Sequence, residues 1–330
     1  MAHQPRLRLS AHSHVAFPTT PLITKDDILK LAHTQGFSAC GFARAEPVKE
    51  DAVLAYRKWI AGGLNFSMHY MENHQAVRDN PVLLLDDAKT VICFALNYYP
   101  EKLQLSTAPQ FSYYAYGRDY HDVVRDRLYA IATEITARTD CRCRVCVDTA
   151  PIRERYWAQQ AGIGFIGRNN QLILPGKGSY FFLGEIVTTL PLQPDKPCSI
   201  NCGTCRRCID ACPANALPGD YGALDARRCL SCLTIEHRGS LPEEVTEKLG
   251  NRVYGCDACQ QACPHNRHAT PTSVEEFTPS EEFLHISYES MSRMTEDDYR
   301  RIFRHSAVKR AKYSGLMRNY AAINPLKEAQ

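Results

Sequence analysis

The residues with the clearest chemical capacity are the cysteines between Cys202 and Cys263. The run Cys202-Gly-Thr-Cys205-Arg-Arg-Cys208-Ile-Asp-Ala-Cys212-Pro213 has the spacing in which three thiolates hold one four-iron cubane and a fourth reaches across to a second. A second cluster is therefore required. Cys256-Asp-Ala-Cys259-Gln-Gln-Ala-Cys263-Pro264 supplies most of it, with Val253 standing where the first cysteine of a full run would be. The crossing of ligands assigns Cys202, Cys205, Cys208 and Cys263 to one cluster and Cys212, Cys256 and Cys259 to the other, which lacks one thiolate. Cys229 and Cys232, in Arg-Cys-Leu-Ser-Cys between the runs, can each complete it. Paired C-x2-C spacings also build tetrahedral zinc sites, but two runs ending in Cys-Pro with complementary ligand deficits favour a pair of iron–sulfur cubanes.

Holding such clusters requires a folded frame, and the chain is long enough to provide one. Its 330 residues, 44% hydrophobic and 23% charged, are those of a globular protein of one large or two ordinary domains. No apolar run approaches the roughly 18 residues of a membrane span. The N-terminus lacks the apolar core of a secretory signal, so a cytoplasmic location is expected. The 15 cysteines fit a reducing compartment, because most stand in cluster spacing rather than in a small secreted domain. Cys93, inside Val91-Ile-Cys-Phe-Ala-Leu96, reads as a buried core thiol. Cys141, Cys143 and Cys146 lie along a predicted strand that sends alternate side chains to opposite faces, so they read as structural.

Residues 1–23, with Arg6, Arg8, three histidines and no acid, read as a flexible extension. Thr24-x-x-Asp27 predicts a capping box opening a helix from Ile28 to Gln35 that Gly36 ends. A second helix spans about 51–61, and Val91–Leu96 is a strand of the kind buried on both faces. A helix over 123–137 and a strand over 142–147 follow; then Asp148-Thr-Ala-Pro151 leads into another helix, placing Asp148 and Thr149 beside its N-terminus. A strand over 182–190 precedes the proline-rich Pro191-Leu-Gln-Pro-Asp-Lys-Pro197, the predicted boundary. Alternating helices and strands make the first domain α/β.

Two other features carry weaker signals. Gly162-Ile-Gly164-Phe-Ile-Gly167 spells a dinucleotide fingerprint, but a predicted helix precedes it and a strand-like segment follows, the reverse of the order that site needs. Between Tyr299 and Leu326 stand Arg300, Arg301, Arg304, Lys309, Arg310, Lys312 and Arg318 with no acid, whereas the whole chain carries only +3. Thr295-Glu-Asp-Asp298 caps this helical segment, which is either a solvated basic face or a phosphate-binding surface.

The cysteine pattern joins further phrases: Tyr116-Gly-Arg-Asp-Tyr-His121, Val147-Asp-Thr-Ala-Pro151, Gly164-Phe-Ile-Gly-Arg-Asn169, Tyr180-Phe-Phe-Leu-Gly-Glu185, Leu233-Thr-Ile-Glu-His-Arg-Gly239, Tyr254-Gly-Cys-Asp257 and Ala311-Lys-Tyr-Ser-Gly-Leu-Met-Arg-Asn319. From about residue 24 to the C-terminus the chain resembles the epoxyqueuosine reductases. The resemblance implies a cobalamin enzyme with two 4Fe-4S clusters that reduces epoxyqueuosine to queuosine at the wobble position of tRNA. It implies an α+β multidomain fold: a cobalamin-binding α/β catalytic domain over 24–190, a ferredoxin-like two-cluster domain over 191–275 and a short helical basic segment over 276–330, in place of a longer helical repeat domain.

The resemblance also implies roles for residues. Asp148 is the expected proton donor, held protonated by desolvation, against its alternative reading as a helix cap. Arg78, Tyr113, Asp148, Arg168, Asn169, Gln171, Ser231 and Asp257 are the expected corrinoid contacts, and Cys229 occupies the family position of the last cluster ligand. The sequence departs from the family pattern at Cys232, where an aromatic residue is common, and at Val124, where the glycine of a D-x-H-x-x-G motif would stand. No histidine is proposed as a cobalt ligand. The expected partners are tRNA and a low-potential electron donor of flavodoxin or ferredoxin type, with no membrane. The rival readings are a two-cluster electron carrier and a corrinoid reductase of small molecules.

Overall fold

The computed structural model describes residues 23–219 and 224–323, so the extension expected over 1–23 lies, Ile23 apart, outside the described residues. The first described helix opens at a capping box. Asp27 N–H donates to Thr24 Oγ1 at 3.2 Å, and Thr24 N–H donates to Asp27 Oδ2 at 3.0 Å. These bonds satisfy donors that a helix leaves orphaned at its start, and the helix runs Lys25–Thr34.

Four strands form the central sheet, in the order Ala39–Arg44, Thr90–Asn97, Phe181–Thr188 and Cys143–Cys146, each neighbour pair antiparallel. Alternation of helix and strand in the sequence did not specify that pairing. The strand Thr90–Asn97, apolar from Val91 to Leu96, lies inside the sheet and is covered on both faces. Ile92, Phe94 and Leu96 meet the helices Lys25–Thr34 and Tyr120–Ala137 in one core cluster. Val91, Cys93 and Ala95 meet Trp157 and Ala158 of the helix Glu154–Gln160 in another. The layers lie close enough that a Cβ added at Gly41 would stand 2.1 Å from the carbonyl oxygen of Ala161. Gly41→Ala is therefore expected to destabilise the fold by about 1–3 kcal/mol, as overpacking does, and thermal unfolding would register the loss.

A second lobe is built around Leu233, Leu249, Tyr254, Phe283, Phe303 and Leu316. It also takes in Phe111, Ala115 and Tyr116 from the first half of the chain. Gln110–Phe111 pairs in parallel with Arg252–Tyr254, and Asp257 accepts hydrogen bonds from Ser112 Oγ and, at 2.8 Å, from the Tyr113 amide. The proline-rich stretch does not swing free either. Asp195 exchanges backbone and side-chain hydrogen bonds with Phe42 on the edge strand and pairs with Lys25 at 2.6 Å.

The basic C-terminal segment is not one continuous helix. Glu296–Ile302, started by the expected Thr295–Asp298 capping box, gives way to a 3-10 turn over Ala307–Ala311 and then to Lys312–Ile323. Lys312 sits in the left-handed region at φ 62°, which breaks the helical path between the two. The last helix is anchored by the fully buried Asn319, whose Nδ2 donates to the carbonyls of Thr234 and Val253 at 2.8 and 2.9 Å. No helix among the described residues is long and apolar enough to cross a membrane.

Candidate active site and cluster centres

Two groups of thiols converge. Cys202, Cys205, Cys208 and Cys263 line one cavity with Arg168, Asn169 and Ile173. Burial raises the pKa of Cys208, and the neighbouring Cys202, Cys263 and Cys205 raise it further. Near the other group, Cys259 is pushed well up, first by burial and then by Cys256, Cys229, Asp257 and Cys212. The two candidates left open by spacing are thus separated by geometry. Cys229 sits with Cys212, Cys256 and Cys259, whereas Cys232, raised to about 12 by burial, has Cys229 and Glu236 as its ionisable neighbours. Crowded thiols resist ionisation until a metal takes their protons' place.

The first cavity also carries a donor suited to a cluster. Asn169 is 3% exposed, its Oδ1 accepts from the Gln171 amide at 3.2 Å, and its Nδ2 is buried with no partner among the described residues. Hydrogen bonds to cluster sulfurs are among the ways a protein tunes such a centre. Arg168 donates to the carbonyls of Gly203 and Gly219, tying down the loop of the first cysteines. Arg168 and Asn169, expected at the corrinoid, therefore lie against the first thiol quartet.

Asp148 is not a helix cap. The helix that follows begins at Glu154 after Arg153, and no side chain caps it. Asp148 instead takes a left-handed backbone at φ 43° and donates its amide to Glu154 Oε1 at 2.7 Å. Its half-exposed carboxylate meets His121 Nε2 at 2.7 Å, and His121 Nδ1 meets Asp119 Oδ1 at 2.7 Å. Asp119 is itself the N-cap of Tyr120–Ala137, which fixes the imidazole at the head of that helix.

The electrostatics reverse the expectation of a desolvated, protonated Asp148. Burial pushes its pKa up, but the hydrogen bond and charge of His121 outweigh burial and hold it below the usual carboxylate value. Burial opposes the charged imidazole, yet the hydrogen bonds to Asp119 and Asp148 win and raise His121 to about 9. The proton of the pair resides on His121 at neutral pH.

Facing this pair are Tyr70, Arg310 and Glu236. Arg310 donates to both carboxylate oxygens of Glu236, at 3.0 and 2.7 Å, and its guanidinium lies 5.4 Å from the Tyr70 ring centre. Arg310 is near enough to favour the Asp148 anion, and Asp148, Glu236 and Cys232 all influence the Tyr70 phenol, whose pKa burial raises. The expected contacts are otherwise distributed. Asp257 is a tie beneath Tyr113, whose hydroxyl accepts from Gln261 Nε2 at 3.0 Å. Ser231 lies on the helix Leu230–Ile235 beside Cys232. Arg78 is 9% exposed and donates to the carbonyls of Asn73 and Tyr70, so it shapes the Tyr70 turn.

Sequence reasoning missed His121, Tyr70 and Glu154. For His121 a signal was present, since Asp119-Tyr-His121 places a capping acid two residues before an imidazole. Of the basic residues, Arg300 and Arg301 pair with Glu296, Asp297, Glu282 and Asp298, and Arg318 donates to the carbonyls of Leu233, His237 and Gly239. Arg304, Lys309 and Lys312 are exposed and have no ion pair among the described residues.

Residues 78–149 match the family described as epoxyqueuosine reductase QueG, DUF1730, and residues 201–266 match a 4Fe-4S double cluster binding domain. An epoxyqueuosine reductase of Cellulophaga algicola is 40% identical over 285 residues, covering 86% of this chain and 92% of the relative. One from Synechocystis sp. is 41% identical over 284 residues, covering 84% and 97%. Among solved structures, an epoxyqueuosine reductase with a tRNA-Tyr epoxyqueuosine-modified stem loop aligns at TM-score 0.81 and 31% identity, over 91% of this chain and 80% of that one. The enzyme from Streptococcus thermophilus aligns at 0.82 and 32%, with the same coverage.

Proposed function

The chain belongs to the epoxyqueuosine reductase family, and from that membership we propose that it reduces epoxyqueuosine to queuosine at the wobble position of tRNA. The observation that carries the reading is the convergence of two cysteine quartets with an Asp148–His121 pair in one molecule. Removing the epoxide oxygen as water takes two electrons and two protons. The family's cofactors are cobalamin and two 4Fe-4S clusters, which supply single electrons and a cobalt centre able to gather two of them beside the substrate.

The residues present suit those groups. Cys202, Cys205, Cys208 and Cys263 would hold one cluster and Cys212, Cys229, Cys256 and Cys259 the other. Tyr113 and Ser231 would contact the corrinoid. Both ring nitrogens of His121 are engaged by carboxylates, so the imidazole serves proton transfer rather than metal ligation. Asp148 orients that imidazolium and passes its proton to the oxygen leaving carbon.

The RNA backbone would lie over Arg304, Lys309 and Lys312. The turn carrying Lys309 and Arg310 is tied to the catalytic pair, because the Asp119 amide donates to the His305 carbonyl at 2.6 Å. Replacing the three with glutamine should weaken tRNA binding and flatten its salt dependence by about two to three phosphate contacts. Filter binding across a salt series would measure this, and an unchanged slope would make them a solvated face. Electrons would enter at the first quartet, where Cys202 and Cys205 share an open depression with Arg206 and Arg207, a surface suited to an acidic low-potential carrier in the cytoplasm. Anaerobic incubation with reduced cobalamin and epoxyqueuosine-containing tRNA, followed by mass analysis of the nucleosides, tests the activity directly. Queuosine is the expected product; unchanged epoxyqueuosine would overturn the assignment.

A further inference from the structure

One group of ionisable side chains behind the catalytic pair has no part in the scheme so far. Glu185 lies on the inner strand Phe181–Thr188, opposite Cys93 on one neighbour and Cys146 on the other. It is 0% exposed, and among the described residues neither carboxylate oxygen has a hydrogen-bond partner. An ionised carboxylate without a partner in such a place would cost far more than protonation, so the group is neutral. The ionisable groups that act on it are Glu154 and Asp148, both acids. Glu154 accepts the Asp148 amide bond at 2.7 Å and faces Asp148, Arg155, His121 and Glu185. Arg155 is drawn away to the Asn170 carbonyl. Three carboxyls thus share one recess behind the reacting face, and like charges so placed do not all ionise together.

We propose that the buried Glu185 and the half-buried Glu154 form a proton store behind the Asp148–His121 pair, with Glu154 supplying the second of the two protons each turnover consumes. The inference rests on the epoxide-reduction reading above. In the first transfer the His121 N–H bond breaks and the proton passes through Asp148 to the epoxide oxygen. The imidazole is left neutral, and with a pKa of about 9 against about 7 for Glu154 it is the stronger base of the two. Glu154 then gives up its O–H proton, the pair is recharged, and the second transfer lets the oxygen depart as water. Two electrons arrive through the clusters, and Glu154 is reprotonated from solvent. Glu154 and Glu185 are positioning residues in this scheme, because they act on the substrate only through Asp148 and His121.

Burial first, and then the Asp148 charge, place the Glu154 titration at about 7, which gives the test a readable midpoint. Infrared titration of the cofactor-loaded protein should show two protonated-carboxyl stretches at acid pH. One should disappear with a midpoint near 7 and be missing in Glu154→Gln; the other should persist through neutral pH and be missing in Glu185→Gln. Glutamine at position 154 still accepts the Asp148 amide bond, so the loop keeps its place. In single-turnover reduction, Glu154→Gln should lose the alkaline limb near pH 7 and slow by about tenfold, less than the roughly 10²–10⁴ of a direct general acid. A wild-type spectrum without a titrating carboxyl stretch, or a Glu154→Gln variant with the wild-type pH profile, would overturn the proton store. The infrared measurement needs no tRNA, so it stands even if a variant folds poorly. Failure of the wild type to reduce epoxyqueuosine would instead overturn the substrate assignment.

Discussion

Asp148→Asn is expected to keep its iron and corrinoid while losing roughly 10²–10⁴-fold in epoxide reduction, the range for removal of a general acid. Asparagine fills the same volume and can still meet His121 Nε2, so the left-handed turn at 148 need not move. What it removes is charge. With one of its two flanking carboxylates gone, the imidazole falls from about 9 toward its ordinary value and is mostly deprotonated at the pH of the assay. The wild-type rate should fall in two steps, near pH 7 as Glu154 loses its proton and again near pH 9 as the His121 pair loses its own, and the Asp148→Asn variant should lose the upper limb. The same shift bears on stability. Because the folded pKa of His121 is raised above the unfolded 6.5, its contribution is fully present below about 6.5 and is lost as pH rises through 9. An Asp148→Asn enzyme with wild-type turnover would mean that the proton comes from another group.

The second large effect separates two adjacent cysteines. Cys229→Ser should reduce iron from about eight to about four per chain and abolish turnover, since the quartet with Cys212, Cys256 and Cys259 loses a thiolate. Cys232→Ser should retain about eight iron atoms, because that thiol faces Cys229 and Glu236 rather than the rest of the quartet. Iron analysis and electron paramagnetic resonance of the reduced proteins distinguish them. Iron loss in the Cys232 variant with retention in the Cys229 variant would reverse the assignment.

Local rules read well from the sequence. The Thr24–Asp27 and Thr295–Asp298 capping boxes depend on side chains three residues apart, and the structure has both. The run Val91–Leu96, apolar at every position, declared burial on both faces, and the strand Thr90–Asn97 bears it out. The grouping of Cys202, Cys205, Cys208 and Cys263 round one cavity was legible because ligand crossing imposes a pattern on spacing. The elements that escaped depend on pairing between distant segments. Nothing near Asp148 shows that His121, 27 residues away, will take its carboxylate, so a proline one turn on made a cap the natural reading. Arg310 and Arg318 looked like phosphate ligands until Glu236 and the carbonyls after Leu233 were found to occupy them. Charge counting along a chain does not reveal which charges are already neutralised.

The parallel pairing of Gln110–Phe111 with Arg252–Tyr254 bears on how such a chain can be divided. The last strand residue, Tyr254, stands two positions before Cys256, so part of the second cluster's scaffold is supplied from the front half of the polypeptide. A cut within Pro191–Pro197 would leave the trailing fragment without Phe111 and Tyr116 and the leading one with both exposed. The two halves are therefore expected to melt in a single transition, which calorimetry of the whole chain would show.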